Sequence, residues 1–369
     1  MKPRLFVDGR VFDTLYQGSR TYIQNLYGMI DQIGDFEVFI GSRDPANASR
    51  FFPSNSNIRF VQYRTSSKME RAFRELPSLM DRYKINAAHY QYVGAPVRNC
   101  LQIVTIHDLL FKDMPQEFSF SYKMMKGMAF YFSARRADLL TTVSDYSKNV
   151  IVRHFKIPEE QVHVIPNGVS SFYFEPYDKA RSAALVREKF HFSNYLLCVS
   201  RIEPRKNQVD LLRSWLDLRL YEQDKCLVFV GRTSIAVPQI RELLRPLPEG
   251  IRSKVFFLED ISDADLRLLY QAAGLFVYPS KGEGFGIPPL EAAALGIPTI
   301  CSNTTAMSEF TFFGNNHIYP DYLSLKSSLQ AALACQPANL LEISETIRQR
   351  YGWEKAAVKM NELIWKKVS

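Results

Sequence analysis

Cysteine is sparse in this chain and does not form a pattern. The five residues Cys100, Cys198, Cys226, Cys301 and Cys335 are scattered, odd in number and contain no CxxC pair. A disulfide scaffold and a zinc module are therefore not expected. Cys198 in "YLLCVS" and Cys226 in "CLVFV" read instead as small buried hydrophobes in a reducing compartment. No uncharged run approaches the ~18 residues of a membrane span, and the apolar run in "MKPRLFVDGRVFD" is too short for a signal peptide. The expectation is a cytoplasmic protein. Low-complexity tracts and short tandem repeats are also missing. No GxGxxG follows the first strand-like run, which argues against a dinucleotide-dependent oxidoreductase. Nor is there a recognisable nucleic-acid module.

What is present is ordinary for a globular protein: 46% hydrophobic and 23% charged residues in 369. That length allows two domains, since single cores stop growing near about 250–300 residues. Lys+Arg 46 against Asp+Glu 38 leaves +8. This balance suits anionic ligands, anionic lipid headgroups or nucleic acid and decides among none of them. Short apolar runs ending in polar or glycine turns recur along the chain, with helical patterns between them. They are "LFVD", "FEVFIG", "IRFVQY", "AAHYQY", "QIVTIHD", "LLTTVSD" and "VHVIPNG", then "YLLCVS", "CLVFVG", "VFFLED", "LFVYPS" and "PTICSN". Such runs match strands buried on both faces and paired in parallel. The rhythm breaks between Ser170 and Phe192. The spacing predicts two doubly wound α/β domains, 1–178 and 179–352, with a helix over 353–369 crossing back onto the first. A ligand cleft is expected between the domains.

The stretch "PSKGEGFGIPPLEAAALGIPTICSN" sets Glu283 and Glu291 eight positions apart. "LFVYPS" reads as a strand and "KGEGFG" as its exit. Pro288 and Pro289 suit the first turn of a helix that Gly296 and Pro298 end. Gly284 and Gly286 let backbone approach a ligand, and the helix start attracts anions. An anion site flanked by two acceptor-only carboxylates suits a ligand carrying both phosphates and hydroxyls, as a sugar nucleotide does. An acidic first turn beside a glycine hinge is the plainer reading, and spacing alone favours it. Further residues come from "LLCVSRIEPRKNQVDLL", where Arg201 and Lys206 follow a strand end facing the same crevice. Arg brings a planar fork for phosphate oxygens and Lys a mobile charge. A solvated basic turn, with Arg205 as its ordinary surface member, is the alternative.

Taken together, "SRIEPRKN", "PSKGEGFGIPPLEAAALGIPTICSN", "TTVSDYSKNVI" and "VIPNGV" resemble glycosyltransferase family 4, retaining enzymes of the GT-B fold with an E-x7-E motif. The similarity runs over nearly the whole chain. It implies a GT-B architecture of two Rossmann-like domains, the first binding the acceptor and the second the donor. By this resemblance Arg201 and Lys206 bind the donor diphosphate and Glu283 meets hydroxyls of the transferred sugar. Gly284, Phe285, Gly286 and Ile287 line the donor, and Glu291 holds the ribose. The base lies near Leu258, Glu259 and Ile261. On the first domain it implies a glycine loop at Gly18, although many members carry two adjacent glycines where this chain has Gln17-Gly18. His107 in "QIVTIHDLLF" lies beside the donor sugar near its C6 group. Asp108 either orients that imidazole or caps the next turn, and Ser144 is expected to cap a helix. Asp263-Ala264-Asp265 superficially matches a metal-binding DxD, but Ser262 followed by Asp265 is better explained as helix capping. No metal or other cofactor is expected.

The implied activity is retaining transfer of a hexose, from a UDP-hexose such as UDP-glucose or from GDP-mannose, to an acceptor hydroxyl in polysaccharide or other glycoconjugate synthesis. A lipid-linked saccharide is one form of that acceptor. A hydrolase with paired carboxylates is the enzymatic rival, though Glu291 looks committed to the nucleotide. An inactive nucleotide-sugar-binding or scaffolding protein of the same fold is the rival of another class. Such a protein is expected to have lost Arg201, Lys206, Glu283 or Glu291, and all four are present. Residues 120–140, "FSYKMMKGMAFYFSARRADLL", mix Lys123, Lys126, Arg135 and Arg136 with Met and aromatics. Peripheral contact with the anionic inner membrane face is one reading. A helix packed into the first domain with a solvated basic edge is the favoured one.

Overall fold

The computed structural model describes residues 2–13, 18–335 and 339–369. The chain divides into two units, Met1–Gly168 with Tyr351–Ser369, and Val169–Arg350. Unit 1 holds the strands β1 (Arg4–Asp8), β2 (Glu37–Ser42), β3 (Arg59–Gln62), β4 (Ala87–Gln91), β5 (Leu101–Thr105), β6 (Leu139–Thr142) and β7 (Val162–Val164), in the order β3-β2-β1-β4-β5-β6-β7. Unit 2 holds β8 (Tyr195–Val199), β9 (Cys226–Val230), β10 (Val255–Leu258), β11 (Leu275–Tyr278), β12 (Thr299–Ser302) and β13 (His317–Ile318), in the order β10-β9-β8-β11-β12-β13. Every pairing is parallel. Both are doubly wound α/β sheets.

The twelve apolar runs of the sequence each become a strand; the thirteenth, β13, is only two residues long, too short to leave a hydrophobic signature. β9 is buried along its whole length, which is why "CLVFV" carries no polar alternation. Helix starts follow their capping residues. The side chains of Ser119, Ser144, Asp178, Ser262 and Asp321 each accept a backbone N–H of the first turn. At Ser262 the donor is the Asp265 amide at 3.1 Å, while the Asp265 carboxylate pairs with Lys189 at 2.6 Å. The DxD tripeptide is therefore a capped helix start.

Unit 2 begins ahead of the rhythm break used to place a boundary at residue 178. Tyr177 donates to the Leu295 carbonyl at 2.9 Å, and the Arg267 guanidinium lies 4.3 Å from the Phe172 ring centre. These contacts bind the segment before Asp178 to unit 2. The core of unit 2 centres on Trp215, Phe229 and Leu211, all buried. In unit 1 Phe6, Phe39 and Tyr90 play that part, and each such side chain contributes roughly 1.5–3 kcal/mol by burial.

In each sheet the winding reverses once, between β1 and β4 and between β8 and β11. A reversal splays the loops at the strands' carboxyl ends and opens a crevice there. In unit 2 the loops concerned are those after Val199 and Tyr278.

Candidate functional site

The loop after β8 tightens into a single 3-10 turn, Pro204–Lys206, before the Gln208–Asp217 helix. The loop after β11 leads into the Ile287–Ala294 helix. The Lys281 amide donates to the Arg205 carbonyl at 2.8 Å and joins the two loops. Gly286 has φ +102°, and a Cβ there would come within 3.0 Å of Met307 Cγ. Both the conformation and the space require glycine. Pro288 and Pro289 remove two of the four unpaired N–H groups that a helix start normally offers.

Glu283 is the centre of this crevice. Its Oε1 accepts from Lys206 Nζ at 2.5 Å, Tyr278 OH at 2.9 Å and Ser280 Oγ at 2.6 Å, and its Oε2 from Arg205 Nη1 at 3.2 Å. The Glu283 amide donates to Thr305 Oγ1 at 2.8 Å. Arg205 also donates to Glu203 and to the Gly282 carbonyl. Glu203 accepts from Ser234 Oγ at 2.7 Å. The Lys206 and Glu283 side chains keep only 8% and 11% of their surface exposed. Burial alone would raise the Glu283 carboxyl. Lys206 and Arg205 outweigh it and hold the group at about 2. Burial pulls Lys206 downward against the pull of Glu283. Arg201 stands outside this cluster, half exposed, with Glu203 at 3.7 Å.

Glu291 belongs to a different set of contacts. Its Oε2 accepts from Tyr270 OH at 3.1 Å, and burial pushes its carboxyl up to about 7. Phe285 is buried and packs edge-on to Phe310 at 5.8 Å. Leu258 ends β10, Glu259 accepts from the Thr233 amide at 3.2 Å, and Ile261 precedes the capped helix at Ser262.

In unit 1 His107 lies just past β5, buried, with Nε2 2.5 Å from Gln91 Oε1. Burial pushes His107 down to about 4 and His89 to about 3, so both rings are neutral. The Gln91 amide nitrogen lies 3.3 Å from His89 Nε2, whose Nδ1 meets Tyr27 OH at 2.5 Å. With Gln91 Oε1 accepting from it, the network assigns the His107 proton to Nε2 and leaves Nδ1 as an acceptor. Asp108 accepts from the Leu110 amide at 3.2 Å and from Tyr92 OH at 3.2 Å. It thus takes the capping role of the two foreseen for it. Ser144 caps the Asp145–Phe155 helix through the Ser147 amide at 3.1 Å. Gly18 opens the Gly18–Ile33 helix, and a Cβ there would meet no described atom within 4 Å. Gln17 lies outside the described residues.

Residues 16–171 match the profile described as Glycosyltransferase Family 4, and residues 163–318 the one described as Glycosyl transferases group 1. The chain belongs to the family 4 glycosyltransferases. It is 31% identical over 229 residues to the O-antigen chain mannosyltransferase B of Escherichia coli, covering 62% of this chain and 59% of that protein. It is 30% identical over 223 residues to the O-antigen chain mannosyltransferase RfbU of Salmonella typhimurium, covering 60% and 57%. The alignments therefore span less than two thirds of these relatives' own length. Sucrose-phosphate synthase from Thermosynechococcus elongatus superposes with a TM-score of 0.78 over 99% of both chains at 19% identity. The fold is GT-B.

Within this family 4 glycosyltransferase, the structure brings Lys206 and Glu283 together and adds Arg205, Glu203, Tyr278 and Ser280, which sequence reasoning missed. Arg205 is no surface residue: its side chain is 12% exposed and bridges Glu203 to Glu283. The signal was present in "IEPRKN", where Glu203 lies two residues before Arg205, but nothing there told which cation turns inward. Glu291 carries a consequence of its own. The folded chain keeps the Glu291 proton above the ordinary 4.5, where the unfolded chain has released it. Its contribution to stability is therefore present below that value and is lost as pH rises through about 7. Melting temperatures of wild type and Glu291→Gln, taken from about pH 5 to about pH 8, should converge with rising acidity only in the wild type's favour. Parallel curves would refute the raised carboxyl.

Proposed function

We propose that the chain transfers a hexose from a nucleoside diphosphate sugar to an acceptor hydroxyl, with retention of anomeric configuration and without a metal ion. The observation that carries this reading is the buried Glu283–Lys206–Arg205 cluster at the winding reversal of unit 2. Arg201 and Lys206 supply the positive charge that a leaving diphosphate needs, aided by the start of the Ile287–Ala294 helix. Glu291 takes the ribose hydroxyls, the base lies near Leu258, Glu259 and Ile261, and His107 accepts from the transferred sugar near its C6 group.

Glu283 is a poor nucleophile in this setting. Lys206, Tyr278 and Ser280 all donate to its Oε1 and Arg205 to its Oε2, and the two cations lower its basicity. A sugar hydroxyl reaches Glu283 at the second acceptor site of Oε2 or by replacing one of these donors. Lys206 is the one with an alternative partner, a phosphate oxygen. Donor binding thus exchanges Lys206 from Glu283 toward the diphosphate while Arg205 keeps Glu283 ionised. With no nucleophile at hand, attack comes from the leaving group's own face, and the departing phosphate takes the acceptor proton.

The names of the two Enterobacterial relatives make mannose the first sugar to test and GDP-mannose the first donor, with UDP-hexoses next. They also favour a saccharide acceptor in glycoconjugate assembly. Calorimetric titration with GDP, UDP and ADP, then with their sugar conjugates, tests the donor site. One nucleotide should bind in the micromolar range, unaffected by a chelator. Glu291→Ala should weaken it by about tenfold or more, the worth of a charged hydrogen bond. Binding of nucleotide without any transfer to saccharide acceptors would favour the scaffolding alternative. No binding at all would end both readings.

A further inference from the structure

The loop after β12 holds a backbone outlier. Among the described non-glycine residues with positive φ, Thr305 is the only β-branched one, at +52°. Branching at Cβ makes the left-handed region costly, and such outliers persist only where their surroundings hold them. Glycine would take the same conformation without strain. The cost points to something that the threonine side chain supplies.

That something is the hydroxyl. Thr305 Oγ1 donates to the Thr304 carbonyl at 2.8 Å and accepts from the Glu283 amide at 2.8 Å. The neighbours of Thr305 grip the same segment. Thr304 Oγ1 donates to the Lys281 carbonyl at 3.0 Å, and the Ala306 amide to the Glu283 carbonyl at 3.4 Å. Met307 is the buried side chain that a Cβ on Gly286 would meet, and Phe310 packs edge-on to Phe285. The turn is itself anchored from behind. Ser308 Oγ donates to the Thr305 carbonyl at 2.7 Å, and His317 Nε2 lies 2.8 Å from the Met307 carbonyl. The 3-10 turn Thr305–Glu309 is thus a backing for the Lys281–Gly286 loop.

The four donors to the Glu283 carboxylate act on the end of its side chain. The peptide plane from which that side chain hangs is set at the amide, where Thr305 is the acceptor. A rotated amide would carry the carboxylate with it. A displacement of about 1 Å at a substrate contact is enough to lower a rate by about hundredfold.

We propose that Thr305 is a positioning residue for the transferred sugar. Its hydroxyl, placed by a strained backbone, fixes the main chain of Glu283 so that the carboxylate meets the sugar. This rests on the reading of Glu283 as a ligand of sugar hydroxyls. In that reading other side chains hold the nucleoside diphosphate, so the effect falls on the sugar.

Three variants separate the hydroxyl from the strain, with turnover followed as nucleoside diphosphate released from the donor that wild type prefers. Thr305→Ser keeps the hydroxyl and should turn over near the wild-type rate. Thr305→Val keeps the shape but accepts nothing from the Glu283 amide, and its kcat should fall by about hundredfold. Thr305→Gly lacks the hydroxyl too, yet is unstrained at positive φ. It should melt above Thr305→Val while turning over as slowly. A merely structural residue would restore rate together with stability. Calorimetry gives the second readout. Diphosphate affinity should stay within about threefold of wild type in all three variants. The ratio of sugar-conjugate to diphosphate affinity should fall about tenfold in the valine and glycine variants. Wild-type kcat in Thr305→Val, or rate recovered with stability in Thr305→Gly, would overturn the proposal and leave the donor site standing. Diphosphate affinity lost along with rate would overturn it as well, by assigning Thr305 to the integrity of the whole loop. A wild-type chain that binds no nucleotide would end the donor-site reading and this proposal with it.

Discussion

Replacing Glu283 by alanine is expected to cost the chain about 3–5 kcal/mol of stability and, under the proposed function, to abolish glycosyl transfer. The stability loss comes from what stays behind. Lys206 and Arg205, with side chains 8% and 12% exposed, would lose the carboxylate that compensates their desolvation. Glu203 still faces Arg205, but Lys206 would have only Tyr278 OH at 3.4 Å. Chemical denaturation followed in unit 2 measures the loss. Glu283→Gln with Lys206→Met should recover part of it, because an uncharged pair owes little to its surroundings. A loss below about 1 kcal/mol would mean that the cluster behaves as a surface pair. Acid supplies a second reading of the same interaction. The Glu283 carboxyl is held down at about 2, so its contribution is complete above the ordinary carboxylate range and drains away as pH falls toward 2.

The second large effect concerns the nucleotide. Arg201→Ala with Lys206→Met should weaken donor binding by about two to four orders of magnitude, the sum of two charged contacts at roughly 1.5–3 kcal/mol each. Methionine keeps the buried stem of Lys206, and Arg205 remains to balance Glu283. The fold should therefore survive where the phosphate contacts do not. Calorimetry with the preferred nucleoside diphosphate decides, and an affinity within about threefold of wild type would remove both residues from the diphosphate's surroundings.

The positions of the strands along the chain were largely visible beforehand because they rest on a local signal. A strand covered on both faces must be apolar throughout, and "CLVFV" or "LFVYPS" cannot be much else. β13 escaped because two residues cannot carry a pattern. Side-chain direction within the loops was less visible. Arg201, Arg205 and Lys206 are three cations within six residues, and only the turn at Pro204–Lys206 determines that the last two face Glu283 while Arg201 stays in solvent. His107 was noticed at its strand end, yet its partner Gln91 comes from β4, a neighbour that only sheet pairing supplies. The Phe120–Arg136 helix packs into unit 1 as favoured from sequence, through Gly127, Phe130 and Ala134. Its apolar residues are spread around the axis, so periodicity did not reveal which stripe the unit would cover.

The Trp353–Val368 helix returns to the unit that holds the amino-terminal strands. Trp353 lies 6.1 Å from Tyr22, Trp365 is 5.7 Å from Phe36, and Asn361 donates to Asp35 at 2.6 Å. During synthesis, then, the seven-stranded sheet emerges first, and the unit that holds it is completed last by the Trp353–Val368 helix. Residues 169–350 are contiguous and can fold as they leave the ribosome, while the earlier-made sheet waits with the seat of Trp353 uncovered.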